Sequence, residues 1–203
     1  GGGGGGEGGR RGGGGRGGGR RSYYGERTHN GSAAPARTTV PEGAAPPVVV
    51  LLVGPPGSGK STFSTQLSEH FVIINQDTLG SRKACEHEMN LALSRRQPVV
   101  IDRCNFDTQQ RAHFLAIART HKVPPGRICA LQLVVSIDEC VKRVSERTNH
   151  PTLQPGPKSV RVVRRFGKLM QPPQTSEDFG HVIAVHAGNT VLVEEVVRWL
   201  THT

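Results

Sequence analysis

The 203-residue chain is poor in aromatic side chains, which make up 4% of it, and it has four cysteines. The cysteines are widely spaced and form no Cys-x-x-Cys pair, which argues against a disulfide scaffold and suits a reducing compartment. No His-x-His or His-Glu-x-x-His cluster occurs, so we expect no zinc site. The longest apolar run, residues 48–53, is far too short to span a bilayer, and no signal-peptide pattern occurs. We therefore expect a nuclear or cytoplasmic protein that is neither secreted nor bound to a membrane.

Glycine and positive charge are concentrated at the N-terminus. Residues 1–37 hold 17 of the 27 glycines, and they contribute seven arginines and two glutamates to the net charge of +10. Such a segment has too little apolar surface to offset the entropy cost of ordering, so we predict a disordered tail. Arginine and glycine next to Tyr23 and Tyr24 are typical of RGG-like segments that bind RNA. A flexible leader without a specific role fits the same composition.

A proline-rich stretch separates this tail from the rest. Pro35, Pro41, Pro46 and Pro47 predict a linker over residues 38–47, followed by one folded domain over residues 48–203. The linker and domain together, residues 38–203, carry 19 basic and 14 acidic residues, so this part is basic as well. Both parts therefore favour an anionic partner such as nucleic acid.

Short apolar runs alternate with helical stretches throughout the domain. The runs cover residues 48–53, 71–74, 99–101, 128–135 and 182–185, and the stretches 60–70, 82–97, 108–121, 137–148 and about 190–201 are predicted helices. Asp107 followed by Gln110 is a helix-start signal. Continuous apolar strands alternating with helices predict an α/β fold with a doubly wound parallel sheet.

The strongest motif follows the first run, where Gly54 to Ser61 match G-x-x-x-x-G-K-[ST] between a strand and a helix. Glycines let successive backbone amides point at phosphate oxygens, Lys60 places a cation near the outer phosphates, and Ser61 is a ligand for magnesium. The motif predicts a P-loop that binds a nucleoside triphosphate. The residues predicted to hold the nucleotide are Gly54, Pro55, Pro56, Gly57, Ser58, Gly59, Lys60, Ser61 and Thr62.

Two carboxylates follow predicted strands. Asp77 comes after the second strand and Asp102 ends the third. The carboxyl ends of parallel strands line the ligand crevice, so we expect both aspartates to face the P-loop. An apolar run ending in Asp is typical of a magnesium-binding site, which leaves Asp77 to accept a proton from an attacking hydroxyl. Aspartates that only cap a turn are the alternative.

Basic side chains follow near the fifth predicted helix. Arg143 and Arg147 are four residues apart and share one helix face, at the position of an arginine that covers a phosphate site. Residues 158–168 place Val160, Val163 and Phe166 toward the core, with basic side chains outside. That face is either a track for nucleic-acid phosphates or a solubilising surface. His150 is interpreted as structural rather than substrate-binding.

Together these motifs resemble the kinase domain of polynucleotide 5′-hydroxyl kinases, and also the kinase module that some eukaryotes fuse to aprataxin-type repair domains. The resemblance covers residues 49–185. It rests on Gly-Pro-Pro-Gly-Ser-Gly-Lys-Ser at 54–61, Ile-Asn-Gln-Asp-Thr-Leu-Gly-Ser at 74–81 and Val-Ile-Asp-Arg-Cys-Asn at 100–105, with Arg143, Arg147, Arg165-Phe166, Pro172 and Phe179-Gly180 downstream. Gln76 stands where that family usually has arginine, and Arg103-Cys104 replace its Asn-Thr.

The resemblance implies a P-loop NTPase/kinase fold and transfer of phosphate from ATP, or from GTP, to the 5′-hydroxyl of DNA or RNA with Mg²⁺, in nucleic-acid repair or RNA processing. By the same resemblance Lys60, Asp77 and Arg147 are catalytic, and Arg143 contacts the nucleotide. Ser61 and Asp102 hold the metal. The implied substrate-binding residues are Asp77, Thr78, Asp102 and Asn105. Two alternatives stay open: a small-molecule kinase on this fold, and an RNA-binding protein switched by nucleotide.

Overall fold

A computed structural model of the chain describes Gly1 and residues 36–147 and 155–202. Most of the predicted tail, and His150, lie outside the described residues. Residues 36 onward belong to a different compact unit from Gly1. No helix within the described ranges is long and apolar enough to cross a membrane.

A parallel sheet forms the centre of the fold. Its strands are β1 (Val49–Val53), β2 (Val72–Asn75), β3 (Val99–Asp102), β4 (Ile128–Val134) and β5 (His181–His186), in the spatial order β2-β3-β1-β4-β5. The chain runs first to β2 and β3 on one side of β1 and then to β4 and β5 on the other. The end of β1 therefore lies at the change of direction, where open α/β sheets bind ligands.

Helices cover both faces of the sheet. They are α1 (Lys60–Thr65), α2 (Gln76–Leu79), α3 (Arg82–Ser94), α4 (Thr108–Thr120), α5 (Ile137–Glu146), α6 (Pro157–Leu169) and α7 (Thr190–Thr201). Alternate residues of β1 point to opposite faces, so Val49 and Leu51 pack with α3 and α4, whereas Val50 and Leu52 pack with α1 and α7. The predicted doubly wound parallel α/β fold is confirmed.

Helices α5 and α6 pack on each other through a small apolar cluster of their own. Cys140 and Val144 of α5 contact Val163 of α6, and all three are buried. Gly167 of α6 lies against Ile137, where a Cβ atom would come within 2.4 Å of the Ile137 side chain. The pair therefore packs closely, and it stands beside the end of β1 that carries the P-loop.

Helix α1 is shorter than predicted, ending at Thr65 instead of residue 70. Beyond it the backbone continues in tight turns, with the amides of Gln66 and Leu67 bonded three residues back, to the carbonyls of Phe63 and Ser64. The hydroxyl groups of Ser64 and Thr65 both bond to the Ser61 carbonyl. Such bonds from serine and threonine side chains compete with regular helix and bend it.

Residues assigned to the end of the tail and to the linker pack on the domain. Arg37 pairs in parallel with Ile183 of β5, with its amide 2.8 Å from the Val182 carbonyl. The Trp199 indole donates to the carbonyl of Ala44 at 3.0 Å. Arg37 and Ala44 therefore contact the folded domain through β5 and α7.

Candidate active site

The P-loop curls between β1 and α1 because two of its glycines adopt left-handed backbone angles. Gly57 has φ of 86° and Gly59 has φ of 97°. A Cβ atom on Gly57 would lie 2.6 Å from the Cys140 carbonyl oxygen of α5, so this position requires glycine for space as well as for conformation. The loop is thus held tightly against α5.

Lys60 is buried within this loop. Its ammonium group donates to the carbonyls of Gly54 at 2.9 Å and Pro55 at 2.8 Å. These bonds place the cation beside the loop amides, where phosphate oxygens are bound in proteins with this motif. The role of Lys60 in holding the outer phosphates stays a prediction.

A cavity of about 240 Å³ opens on one side of the P-loop. It brings together residues from separate parts of the sequence: Lys60 and Ser61 from the loop and α1, Asp77 from α2, Asp102 from β3, and Arg147 from the end of α5. Of the predicted site residues, Pro56, Gly57, Gly59 and Asn105 also line it. We call it the acceptor cavity.

Asp102 is fixed at the floor of the acceptor cavity and is almost fully buried. Its Oδ2 accepts hydrogen bonds from the Asn75 side-chain amide at 2.7 Å and from the Ser64 hydroxyl at 3.0 Å. The sequence analysis did not identify either partner. Both come from neighbouring elements, since Asn75 ends β2 beside Asp102 in the parallel register and Ser64 lies on α1.

Asn75 also contacts the backbone of Asp77. The Oδ1 atom of Asn75 caps α2 by accepting hydrogen bonds from the backbone amides of Asp77 at 2.7 Å and Thr78 at 3.3 Å. Asp77 is exposed at the first turn of α2 and lines the acceptor cavity. Thr78 is exposed and does not line it, so its predicted substrate contact stays a prediction.

A second, larger cavity of about 580 Å³ lies on the other side of the P-loop. Its walls come from Ser58 and Thr62, from Arg143 and Arg147 of α5, and from residues 186–190 after β5. The P-loop therefore lies between the two cavities, and Arg147 lines both. We call this one the donor cavity.

Arg143 contacts the P-loop from α5. Its guanidinium pairs with Glu139 one helical turn earlier at 2.8 Å, and a second nitrogen reaches the Gly57 carbonyl at 3.5 Å. It lines the donor cavity only. Arg143 and Arg147 therefore differ in their surroundings, because Arg147 lines both cavities.

Asn105 has a structural contact that its motif did not indicate. It adopts φ of 45°, and its buried side-chain amide donates to the Leu52 carbonyl of β1 at 2.8 Å. Its Oδ1 atom is buried and has no hydrogen-bond partner among the described residues. Asn105 therefore joins the end of β3 to the strand that leads into the P-loop.

Arg111 is a fully buried arginine that sequence reasoning missed. From α4 it forms a bidentate pair with Glu177 at 2.8 Å and donates to the carbonyls of Asn105 and Gln171, each at 2.9 Å. It thereby fixes the backbone of the loop after β3. Its position in a helix rich in polar residues gave no signal of burial.

We expect the Arg111→Ala variant to lose about 3–5 kcal/mol of unfolding free energy, because Glu177 would lose its charged partner and two buried carbonyls would lose a donor. Arg119→Ala is the matched control. Arg119 lies on the same helix and forms an exposed ion pair at 2.6 Å with Asp178, the residue that follows Glu177. Its expected cost is about 0–1 kcal/mol. Urea unfolding of both variants measures the difference, and equal losses would contradict the assignment.

Arg103 lies at the far side of the acceptor cavity. Its Nε donates to the side chain of Gln76, a second nitrogen donates to Gln110 at 3.2 Å, and the guanidinium lies 5.3 Å from the ring centre of Phe114. Burial lowers the pKa of this arginine from its ordinary value. Gln76 and Arg103, two of the residues at which the sequence departs from the family pattern, therefore contact each other.

The residues present fit a magnesium ion bound together with phosphates. Magnesium prefers one or two carboxylates plus substrate oxygens over a complete protein cage. Asp102 and Ser61 offer such oxygens in the acceptor cavity. The described residues contain no group of three or more His, Cys, Asp and Glu side chains arranged to hold a metal.

A P-loop at the switch point of a parallel sheet, with acidic groups facing it, defines a P-loop kinase fold. The family comparison agrees. Residues 49–173 match the AAA domain family, and the chain belongs to it.

Two curated relatives are similar over the same region. "Transcription factor bHLH140" of Arabidopsis thaliana is 29% identical over 140 residues, covering 64% of this chain and 15% of that protein. The "Putative bifunctional polynucleotide phosphatase/kinase" of Acanthamoeba polyphaga mimivirus is 29% identical over 136 residues, covering 66% of this chain and 32% of that protein. The chain thus spans less than a third of the length of either relative.

Solved structures share the fold at low sequence identity. A fungal RNA kinase has a TM-score of 0.57 at 20% identity, covering 77% of this chain and 85% of its own. Kti12 of Chaetomium thermophilum in complex with ADP-AlF3 has a TM-score of 0.56 at 17% identity, covering 73% and 95%. A sugar kinase from Janibacter has a TM-score of 0.55 at 16% identity, covering 76% and 95%.

Proposed function

We propose that the protein transfers the γ-phosphate of ATP to the 5′-hydroxyl of a polynucleotide. One observation carries the proposal: a single cavity joins the P-loop Lys60 to Asp77, Asp102 and Arg147. A cation, two carboxylates and an arginine around one space are the groups that phosphoryl transfer to a hydroxyl requires. GTP remains the alternative donor.

The residues divide the reaction between them. The carboxylate of Asp77 accepts the proton of the attacking hydroxyl, whose oxygen bonds to the γ-phosphorus. The bond from that phosphorus to the bridging oxygen breaks, and the nucleoside diphosphate leaves with the electron pair. Lys60 and the loop amides hold the β- and γ-phosphates, while Arg147 stabilises the charge on the transferred group from the rim of both cavities.

Ser61 and Asp102 are the residues that would hold magnesium. The ion would neutralise phosphate charge when bound. The contribution of the chain is to keep Asp102 in one orientation, through Asn75 and Ser64, on the floor of the cavity. Because Asn75 also caps α2, one side chain sets the positions of both carboxylates.

Two observations support a polynucleotide acceptor. The chain carries a net charge of +10, with basic residues in both the tail and the domain, which suits a polyanion. Relatives at the sequence and fold levels include proteins named for polynucleotide and RNA kinase activity. The N-terminal arginines and glycines would add salt-sensitive affinity for RNA without reading sequence.

A small-molecule kinase is the second candidate, because the acceptor cavity is small and a sugar kinase shares the fold. The dependence of KM on salt concentration distinguishes the two candidates. Transfer to a polynucleotide is expected to show a KM that rises steeply with ionic strength, since phosphate contacts release counterions. A neutral small acceptor is expected to show little change, so a flat salt response with efficient transfer to such an acceptor would favour that reading.

Removal of the N-terminal residues tests the third possibility, an RNA-binding protein switched by nucleotide. The deletion is best placed before residue 36, because Arg37 pairs with β5. We expect the shortened chain to keep most of its turnover number for an oligonucleotide while losing the part of its RNA affinity that the tail supplies. If neither the full nor the shortened chain transfers phosphate, and the deletion removes all RNA binding, the result would instead support the RNA-binding protein.

A further inference from the structure

Helix α6 presents three different faces. Ser159 and Val163 are buried, with Val163 packed against α5, whereas Val162 and Phe166 line the acceptor cavity. The remaining face is exposed and basic, and α6 contains no acidic residue. Its exposed basic residues are Lys158, Arg161, Arg164, Arg165 and Lys168.

Four of these residues form one stripe. Lys158, Arg161, Arg165 and Lys168 are spaced by three, four and three residues, which places them on one side of the helix over about 15 Å of its axis. Arg164 lies at the edge of this face and approaches Asp138 of α5 at 3.8 Å. The stripe is therefore a line of positive charge adjacent to the cavity wall.

The cavity wall supplies aromatic surface at the same place. Phe166 meets Phe106 in an edge-to-face pair with ring centres 5.0 Å apart and planes at 87°. Both rings line the acceptor cavity. Phe106 follows β3 and is fixed from behind, since Arg111 holds the Asn105 carbonyl and the Phe106 carbonyl accepts from the Gln171 amide at 2.7 Å.

The geometry points to a path for single-stranded polynucleotide, in which the terminal base stacks on the Phe106–Phe166 pair and the following phosphates lie along the basic stripe of α6. Aromatic platforms next to a positive groove are how proteins hold single strands. We expect a cavity of this size, about 240 Å³, to accept an unpaired terminal nucleotide more readily than the end of an intact duplex. This inference rests on the proposed function and names its acceptor.

The test is fluorescence anisotropy of a single-stranded 12-mer with a 5′-hydroxyl, measured with the full chain at several salt concentrations. For the double variant Arg161→Gln/Arg165→Gln we expect weaker binding and a salt slope smaller by about 1.4, because each phosphate contact in a single strand contributes about 0.7 to that slope. The matched control is Arg95→Gln/Arg198→Gln, which removes the same charge from the exposed ends of α3 and α7. The control is expected to keep the wild-type slope.

A second pair of variants tests the aromatic wall. Phe166→Leu keeps an apolar side chain of similar length, and we expect it to weaken binding about tenfold through loss of stacking, whereas Phe166→Tyr restores it. Kinase assays on the 12-mer and on a dinucleotide compare these variants, and the Arg161→Gln/Arg165→Gln variant, with the wild type. We expect the Arg161→Gln/Arg165→Gln variant to prefer the longer acceptor less strongly than the wild type does.

The outcomes separate the two claims. Equal weakening by the α6 variant and its control, or no weakening by either, overturns the path along α6 while phosphoryl transfer by the wild type stands. Tighter binding of a blunt duplex than of the single strand, with the same dependence on Arg161 and Arg165, overturns the single-stranded acceptor. A wild-type protein that transfers phosphate to no oligonucleotide refutes the proposed function itself.

Discussion

Replacing Asp77 with asparagine is expected to lower kcat by a factor of about 10²–10⁴ while nucleotide affinity stays near the wild-type value. Asparagine keeps the shape of the side chain but cannot accept the proton of the attacking hydroxyl. Asp77 lines the acceptor cavity and is absent from the walls of the donor cavity, so the loss should appear in turnover and not in nucleotide binding. Single-turnover transfer and nucleotide titration measure the two effects.

Asp107→Asn is the matched control. Asp107 caps α4 by accepting from the Gln110 amide at 2.7 Å, asparagine caps equally well, and the residue does not line the acceptor cavity. We expect this variant to keep wild-type turnover. An Asp77→Asn enzyme with full turnover would show that another group takes the proton.

Replacing Arg147 with alanine is expected to lower kcat by a factor of about 10³–10⁵, the range found when an arginine that stabilises the transferred phosphoryl group is removed. The prediction rests on the position of Arg147, which follows the last residue of α5 and lines both cavities. Arg147→Lys is expected to recover part of the rate, since lysine keeps the charge without the planar fork. Rates at saturating ATP and acceptor measure the loss.

Arg143→Ala provides the comparison one helical turn away. Arg143 contacts the Gly57 carbonyl and lines only the donor cavity, so its removal is expected to raise the KM for nucleotide more than it lowers kcat. If instead Arg143→Ala abolishes turnover and Arg147→Ala leaves it intact, the assignment of the two arginines is reversed.

Local patterns in the sequence were sufficient to predict the sheet and the P-loop. Buried parallel strands appear as continuous apolar runs, and the motif from Gly54 to Ser61 has its phosphate-binding geometry encoded in its glycines. The approach of Asp77 and Asp102 to the loop followed from one rule, that the carboxyl ends of parallel strands share an edge. Each of these predictions depends on neighbouring residues or on topology alone.

The supporting contacts could not be predicted because they join distant parts of the chain. Asn75 holds Asp102 at a separation of 27 residues, and Arg111 pairs with Glu177 at a separation of 66. Nothing near Arg111 distinguishes it from Arg119 on the same helix, although one is fully buried and the other exposed. Likewise the segment from Arg37 to Pro46 has a linker-like composition, and its contacts with β5 and α7 are between residues far apart in the sequence.

The most direct test of the proposed function is the transfer of labelled γ-phosphate from ATP to 5′-hydroxyl DNA and RNA oligonucleotides. We expect transfer to at least one of them, confined to the 5′ end and abolished by Lys60→Ala, because Lys60 is the residue proposed to hold the outer phosphates. The ratio of DNA to RNA rates would then identify the acceptor. Intact ATP binding without transfer to either oligonucleotide would contradict the proposed function and favour a small-molecule acceptor or a nucleotide-switched RNA binder.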